Sequence, residues 1–325
     1  MSRKTVLSLM RATGVLHLGN YLGAARDFAA LSVDPGYDCF FGIADLHALT
    51  SLDDPEALRA STRAVARDYL AAGVDAERAV LFRQSAIPET SELFWLLCNV
   101  TSAGELQRSK TFQEMSRKQP ENVNAGLLTY PVLMAADILG PRADLVPVGE
   151  DQMPHLEMAR NIAQRFNHRF GETFPLPEAY RKSAIRVPGL DGLGKMSKSD
   201  GNGFGIAESP ERIWELLRLA TTDPARQRRS DPGNPDLCPI GHLHRYVSPA
   251  EDVARTEEGC RTAGIGCIDC KKVLHGNVVA LLAPVRERSA RLADARVEEV
   301  LAAGADRARE RIAATLATAK ERMGL

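Results

Sequence analysis

The chain has 325 residues, of which 44% are apolar and 26% are charged, and its formal net charge is −1. This length predicts two domains, and the near-neutral charge excludes a basic field over the whole molecule, so contacts with nucleic acid must come from local patches. No stretch has the pattern of a signal peptide or a membrane span, so we expect a cytoplasmic protein without membrane contact, whose six cysteines are reduced, ligating or catalytic.

The first half of the chain alternates strand-like and helix-like segments. Short β-rich or buried runs predict strands at residues 4–10, 38–45, 78–84 and 145–149. Segments of helical spacing follow each of them, at residues 16–32, 55–73, 91–108 and 154–166. This alternation predicts an α/β fold with a doubly wound parallel sheet, on which ligands bind beyond the carboxyl ends of the strands.

The pattern changes from about residue 208. A helix is predicted at 208–222, a polar, proline-rich and basic connector follows to residue 236, and helix formers dominate from 271 to 325. We therefore expect a Rossmann-like domain at 1–190, a glycine-rich loop at 191–204 and a smaller C-terminal helical domain at 205–325.

A glycine-rich run, GLGKMSKSDGNGFG at residues 192–205, carries two lysines, Lys195 and Lys198. Glycine removes backbone restraint, and lysine ammonium groups are compact cations that can meet a phosphate. The run therefore indicates a loop that closes over a polyphosphate, with a solvated basic turn as the alternative.

A second loop, ATGVLHLGN at residues 12–20, lies where the first predicted strand turns into a helix. Gly14 permits a tight turn, and the amides at a helix start form an anion site. His17 and Asn20 lie one helical turn apart, so both can point at one ligand, while Gly19 leaves bare backbone for a flat ring such as adenine. A glycine turn alone is a weak signal, and His17 alone would be read as a packing histidine.

Together, HLGN and the KMSKS motif about 180 residues later resemble the two signatures of the class I aminoacyl-tRNA synthetases. Three further segments resemble the tryptophanyl-tRNA synthetases, and the resemblance extends over nearly the whole chain: LLTYPVLMAADIL (127–139), VPVGEDQ (146–152) and IADLHALT (43–50). The resemblance implies ATP with Mg²⁺ on its phosphates, L-tryptophan and tRNA(Trp) as partners, and a homodimer. It also assigns activation to residues 1–190 and anticodon binding to 205–325, with the last helix as a candidate for packing back on the first domain.

The resemblance also implies roles for individual residues. Catalytic stabilisation of charge falls to His17, Asn20, Lys195 and Lys198. Contacts with ATP are expected from Arg11, Ala12, Thr13, Gly19, Asn20, Gly149, Glu150, Asp151, Val187, Lys195, Met196, Ser197, Lys198 and Ser199. Tryptophan is expected to contact Asp137, Met134, Tyr130, Gln152 and His47. Asp137 would accept the indole N–H, a donor that phenylalanine lacks, and so would reject that analogue.

Two departures from the family pattern lie in the first turn, where SLMRATG replaces a motif close to SGxxPTG. Leu9 stands in place of glycine and Ala12 in place of proline. Leu9 lies next to the expected amino-acid pocket, so the sequence does not determine the shape of that pocket. After KMSKSD, Gly201 stands where many relatives have proline, which predicts a looser loop.

Four of the six cysteines cluster along the chain, while Cys39 and Cys98 lie in apolar runs and are read as packing residues. The four, which we call the four-cysteine group, are Cys238, Cys260, Cys267 and Cys270. They could bind zinc or a 4Fe–4S cluster, or remain reduced. The segment 223–272 resembles a subset of bacterial tryptophanyl synthetases that carry a 4Fe–4S cluster near the anticodon-binding region. Basic residues that could meet tRNA phosphates, or form a solvated face, flank the group: Arg226, Arg228, Arg229, Lys271 and Lys272.

The sequence is also compatible with three other classes of protein. A tyrosyl-tRNA synthetase would share the fold and both ATP motifs, although the GEDQ turn and the MAAD helix favour tryptophan. A non-charging paralogue that binds tryptophan would keep the fold without the activity. A dinucleotide-binding oxidoreductase is the poorest fit, because the first turn lacks GxGxxG.

Overall fold

The computed structural model describes residues 3–180, 185, 187–197 and 201–325. In this part of the chain, five strands form one parallel sheet in the order β3–β2–β1–β4–β5. The strands are β1 (Lys4–Arg11), β2 (Tyr37–Ala44), β3 (Val80–Arg83), β4 (Leu145–Pro147) and β5 (Glu178–Tyr180).

Helices connect these strands and make up the C-terminal third of the chain. Those between or beside the strands are α1 (Leu18–Asn20), α2 (Arg26–Val33), α3 (Asp45–Ala48), α4 (Pro55–Ala72), α5 (Pro88–Cys98), α6 (Ala103–Arg108), α7 (Lys110–Lys118), α8 (Ala125–Leu139) and α9 (Met153–Phe170). Those of the C-terminal region are α10 (Pro210–Leu219), α11 (Pro239–Val247), α12 (Ala250–Arg261), α13 (Cys267–Arg291) and α14 (Asp294–Met323). None of the described helices is long and apolar enough to cross a membrane.

Both faces of the sheet are covered, as the fold prediction requires. Successive residues of β1 belong to different apolar clusters: Val6 packs with α2, α4 and α13, whereas Leu7 packs with α5, α8 and α9. Side chains that alternate across a strand produce this division when both faces are buried. The predicted doubly wound α/β sheet with a C-terminal helical region is confirmed.

A crevice opens between β1 and β4, where the strand order reverses. β1 pairs with β2 along its whole length, but it pairs with β4 only at Val6 and Leu145. The two strands therefore diverge toward the carboxyl end of β1. In open α/β sheets this is the position where ligands bind.

The last helix crosses the edge of the sheet at β3. Val297 and Leu301 pack in the cluster on one face, whereas Ala308 and Ile312 pack in the cluster on the other. Between them, a Cβ added to Gly304 would lie only 1.8 Å from the carbonyl oxygen of Leu81 in β3. The helix thus covers an edge strand that would otherwise be free to pair with another chain.

The differences from the sequence prediction include a divided helix and an additional strand. The single helix predicted at 91–108 is two helices, α5 and α6, separated by residues 99–102. The sequence predicted one helix because the apolar pattern continues across this short polar break. β5 was not predicted, since its three residues are too few to show a strand periodicity. Gly73, predicted at a helix end, follows α4 with a φ of +105°.

Candidate active site

The turn after β1 is held together by its own two polar side chains. The backbone N–H of Asn20 donates to Nδ1 of His17 at 3.2 Å, and the N–H of His17 donates to Oδ1 of Asn20 at 3.2 Å. Gly14 in the same turn has a φ of +113°, a conformation that favours glycine. The reciprocal bonds fix the first turn of the helix and with it the direction of both side chains.

Residues on both sides of the KMSKS motif contact this turn. Leu18 N–H donates to the carbonyl of Phe204 at 3.2 Å, and Ile206 N–H donates to that of Leu16 at 3.0 Å. On the other side of the motif, a Cβ added to Gly19 would lie 3.5 Å from Cβ of Val187. The structure therefore brings the two distant motifs into one neighbourhood, although Lys198 and Ser199 themselves lie outside the described residues.

A short hairpin carries Lys195. Met196 N–H donates to the carbonyl of Val187 at 2.8 Å, and Asn202 Oδ1 accepts from Ser197 N–H at 2.7 Å. The Met196 side chain is 3% exposed and packs on Gly203. Because this side chain belongs to the core, any contact of Met196 with ATP has to come from its backbone.

A cavity of about 600 Å³ lies in the crevice beyond the carboxyl ends of the strands. Eight of the predicted site residues line it: Arg11, Asn20, His47, Tyr130, Met134, Asp137, Gly149 and Gln152. Other predicted residues of the described part lie outside its lining: Ala12, Thr13, His17, Gly19, Glu150, Val187, Lys195, Met196 and Ser197. Ala12 and Val187 are buried, like Met196. Asp151 lies in the turn Glu150–Gln152 that precedes α9.

The floor of the cavity is a buried carboxylate with two fixed donors. Asp137 is 6% exposed; Nε2 of His47 donates to its Oδ2 at 2.9 Å, and Nε2 of Gln84 lies 2.8 Å from both of its oxygens. Burial raises the pKa of Asp137, and the bonds from His47 and Gln84 oppose that rise. A carboxylate offers about four acceptor positions, so this arrangement leaves room for one more donor from the cavity.

A second polar group lies beside this floor. Tyr130 Oη is 3.1 Å from Nε2 of His155, and burial raises the pKa of Tyr130 to about 12, so the phenol keeps its proton at neutral pH. Arg11 at the rim donates to Oγ of Ser51 at 2.7 Å. The cavity thus combines a buried acceptor, a neutral hydroxyl and a guanidinium around an apolar space.

Gln84 and His155 were missed at the sequence level. Gln84 directly follows β3, and a polar residue after a parallel strand is a general signal for this edge of a sheet. His155 lies near the start of α9, three residues after the end of the VPVGEDQ segment, and nothing in its local sequence marks it.

The residues of the four-cysteine group lie at the ends of three helices. Cys238 precedes α11, Cys260 lies near the end of α12, and Cys267 and Cys270 belong to the first turn of α13. Burial first, and then the other three thiols, raise the pKa of Cys270 to about 12. The four sulfurs are therefore close enough to influence one another.

The geometry around these thiols differs from that of a single-ion site. Within the described ranges, no three His, Cys, Asp or Glu side chains converge closely enough to hold one metal ion. Nε of Arg226 is buried there without a hydrogen-bond partner among the described residues, and a Cβ added to Gly233 would lie 2.8 Å from Sγ of Cys260 and 3.1 Å from Cδ of Arg226. An N–H donor left unpaired in this way is a poor arrangement unless another acceptor completes it.

One predicted phosphate contact is wrong. Lys271 is 4% exposed, and its Nζ donates to the carbonyls of Arg218 at 2.9 Å and Ala220 at 2.6 Å, at the end of α10. Burial lowers its pKa. This ammonium group therefore stabilises the end of a helix and does not face solvent.

Comparison with known proteins agrees with this geometry. The family model for tRNA synthetases class I (W and Y) matches residues 2–283 of this chain. The tryptophan–tRNA ligase of Deinococcus radiodurans is 49% identical over 295 residues, covering 90% of this chain and 88% of the relative. That of Thermotoga maritima is 42% identical over 326 residues, covering 98% and 99%.

A solved structure supports the same conclusion. The tryptophanyl-tRNA synthetase of Campylobacter jejuni, complexed with ADP and tryptophan, has a TM-score of 0.87 and 32% identity, covering 99% of this chain and 100% of that one. The class I resemblance drawn from HLGN and KMSKS is thereby confirmed. This chain belongs to the class I tRNA synthetases of the tryptophan and tyrosine (W and Y) family.

Proposed function

We propose that this chain activates L-tryptophan with ATP and transfers the tryptophanyl group to tRNA(Trp). The observation that supports tryptophan most directly is the buried carboxylate of Asp137 in the cavity. The indole ring has one polar edge atom, an N–H donor, and a carboxylate is an acceptor-only group when ionised. The similarity to tryptophan–tRNA ligases over almost the full chain supports the same substrate.

Each cavity residue has a defined part in this proposal. Asp137 accepts the indole N–H while His47 and Gln84 hold its oxygens in place. Met134, one helical turn earlier on α8, packs on the ring. Tyr130 and Gln152 contact the ammonium and carboxylate of the substrate.

ATP binding in this proposal uses the turn after β1 and the KMSKS loop. Adenine lies against Gly19 and Val187, and the ribose lies at the turn of Gly149, Glu150 and Asp151. Backbone or side-chain contacts from Arg11, Ala12, Thr13, Met196, Ser197 and Ser199 complete the site. Mg²⁺ is carried by the ATP phosphates and neutralises part of their charge.

The reaction then has two steps. The tryptophan carboxylate attacks the α-phosphorus of ATP, which releases pyrophosphate and forms tryptophanyl-adenylate. A ribose hydroxyl of the terminal adenosine of the tRNA next attacks the acyl carbon and releases AMP. No protein nucleophile is required, because positioning and charge neutralisation supply most of the catalysis of phosphoryl transfer. His17, Asn20, Lys195 and Lys198 stabilise charge in the transition state.

Replacing Lys195 with alanine tests the assignment of the loop. Loss of one preorganised charge at the leaving pyrophosphate is expected to slow adenylate formation by about 100-fold, while the tryptophan dissociation constant changes little. Stopped-flow activation and equilibrium binding measure the two quantities separately. An unchanged activation rate in Lys195→Ala would show that Lys195 does not take part in catalysis.

Pyrophosphate exchange with each of the twenty amino acids discriminates the alternatives. Exchange that depends on tryptophan supports the proposal, and exchange that depends on tyrosine supports a tyrosyl-tRNA synthetase. Tryptophan binding without exchange or tRNA charging would point to a non-charging paralogue.

We further propose that the four-cysteine group holds a 4Fe–4S cluster. The support is the position of the four thiols at the ends of α11, α12 and α13, where three of them raise the pKa of the fourth, beside the guanidinium of Arg226. Once bound, the cluster would cross-link the ends of α11, α12 and α13 through iron–sulfur bonds. Anaerobic purification should give about four irons and four sulfides per chain with visible absorption; zinc alone, or no metal, would contradict it.

The remaining assignments concern the whole molecule. We propose that residues 1–190 activate tryptophan, that 191–204 form the KMSKS loop, and that 205–325 bind the anticodon region, where Arg228, Arg229 and Lys272 meet phosphates. We also propose a cytoplasmic homodimer, for which Trp95 on α5, 66% exposed, offers apolar surface. Light scattering in solution tests the dimer, and the salt dependence of tRNA binding tests the phosphate contacts.

A further inference from the structure

Leu9 is a cavity residue whose side chain lies on the same face of the sheet as Asp137. On β1, Val6 and Met10 pack with the cluster of α2 and α4, whereas Leu7 and Leu9 pack with the cluster that includes α8 and Met134. Because β1 is an inner strand that has separated from β4 by this point, the partial exposure of Leu9 is exposure to the cavity. The branched side chain thus forms part of the wall that faces the substrate.

The space for this side chain is provided by a glycine on the next strand. Leu9 is the register partner of Gly42 on β2, and a Cβ added to Gly42 would lie 2.6 Å from Cγ of Leu9 and 3.1 Å from both of its methyl carbons. At such distances one of the two groups has to move. The leucine therefore lies flat on the glycine, and any larger residue at 42 would push it into the cavity.

We propose that the Leu9–Gly42 pair sets the width of the amino-acid subsite and makes it selective for unsubstituted indole. This inference rests on the proposed function, because it assumes that tryptophan occupies the space beside Asp137. The hydrogen bond to Asp137 would fix the ring in one orientation. A side chain packed against that ring then determines which ring substituents fit. A difference of one methylene in such a wall commonly changes selectivity by 10-fold to 200-fold.

The test measures kcat/KM in pyrophosphate exchange for tryptophan and for its 4-, 5-, 6- and 7-methyl derivatives. In Leu9→Gly, at least one methyl derivative should gain about 10-fold or more relative to tryptophan. In Gly42→Ala, the displaced leucine should lower kcat/KM for every one of these substrates. The double variant Leu9→Ala/Gly42→Ala should recover much of the loss caused by Gly42→Ala, because alanine at 9 has no Cγ to displace.

A control variant with a shortened core side chain distinguishes an effect on substrate selectivity from an effect on protein stability. Val80 on β3 packs in the same apolar cluster as Leu9 but does not line the cavity, so Val80→Ala should lower the melting temperature without changing the methyl-to-tryptophan ratio. A folded Leu9→Gly variant with wild-type ratios for all four derivatives would overturn the inference. Failure of the wild-type protein to activate tryptophan would instead overturn the proposed function, and the two outcomes are therefore distinguishable.

Discussion

The cavity beside β1 and the four-cysteine group are both built where secondary structure elements end, but they differ in how far protein atoms alone complete them. In the cavity, the buried carboxylate of Asp137 already receives hydrogen bonds from His47 and Gln84. Beside the cysteines, Nε of Arg226 is buried with no hydrogen-bond partner among the described residues, where no three His, Cys, Asp or Glu side chains form a single-ion site. The first region is preorganised, whereas the second keeps a buried donor unmatched, and it is the region where we propose that a cluster binds.

This difference suggests different responses to mutation. A preorganised pocket should lose affinity or rate when one of its groups changes while its fold persists. A region that depends on a bound group should lose that group, and with it part of its stability, in an all-or-none manner.

The largest effect is expected in the four-cysteine group. Replacing Cys267 and Cys270 with serine removes two of the four thiols that we propose as cluster ligands, so the iron content that the proposal predicts, about four per chain, should fall to near zero. Iron analysis and absorption spectra of anaerobically purified protein measure this loss. Cys98→Ser, which changes a thiol outside the group, is the control. A double variant that retained its full iron content would show that Cys267 and Cys270 do not hold the iron, and it would remove the contrast between the two regions.

The next effect concerns the cavity floor. Asp137→Asn keeps the size of the side chain but replaces one acceptor oxygen with a donor. Because hydrogen bonds to a charged group contribute about 1.5–3 kcal/mol, kcat/KM for tryptophan should fall by about 100-fold. Pyrophosphate exchange measures it, with the exposed Asp53→Asn as the control. An activity close to wild type would mean that Asp137 does not read the substrate.

A smaller effect, on stability alone, tests how the C-terminal helices are joined to the sheet. Gly304→Ala on α14 would place Cβ within 1.8 Å of a backbone oxygen of β3, so the free energy of unfolding should fall by about 3 kcal/mol. Gly276→Ala, also within a helix but with no atom within 4 Å of the new Cβ, should raise it by about 0.5–1 kcal/mol. Denaturant unfolding compares the pair, and equal effects would contradict the tight contact of α14 with β3.

The smallest effect is a pH dependence. Burial raises the folded-state pKa of Asp137 above its ordinary value, so between these two values the folded chain binds more protons than the unfolded chain. The free energy of unfolding of the wild type should therefore decrease, relative to Asp137→Asn, as the pH rises through that window. Parallel pH dependences of the two proteins would show that folding does not raise the pKa of the Asp137 carboxyl.

Much of the fold and part of the site followed from the sequence, because both depend on local patterns. The alternation of strands and helices gave the sheet, and the spacing in MAAD placed Met134 and Asp137 on one side of α8. His47 was found through its motif, and it does reach the cavity.

The residues that escaped prediction act through long-range contacts. Gln84 is 53 positions from Asp137 in the chain, and only the folded sheet brings the two together. Lys271 was misassigned because a basic residue in a basic stretch says nothing about its burial. The role of Gly42 depends on the side chain of Leu9 across the strand pair, which no local pattern reveals.

Recognition of the indole N–H by Asp137 is measured most directly with an analogue that lacks this donor. β-(3-Benzothienyl)alanine replaces the N–H with sulfur and keeps the shape of the ring. We predict that wild-type kcat/KM in pyrophosphate exchange is about 10⁴-fold higher for tryptophan than for this analogue, and that Asp137→Asn removes most of the difference. Equal activation of both compounds by the wild-type protein would contradict the claim.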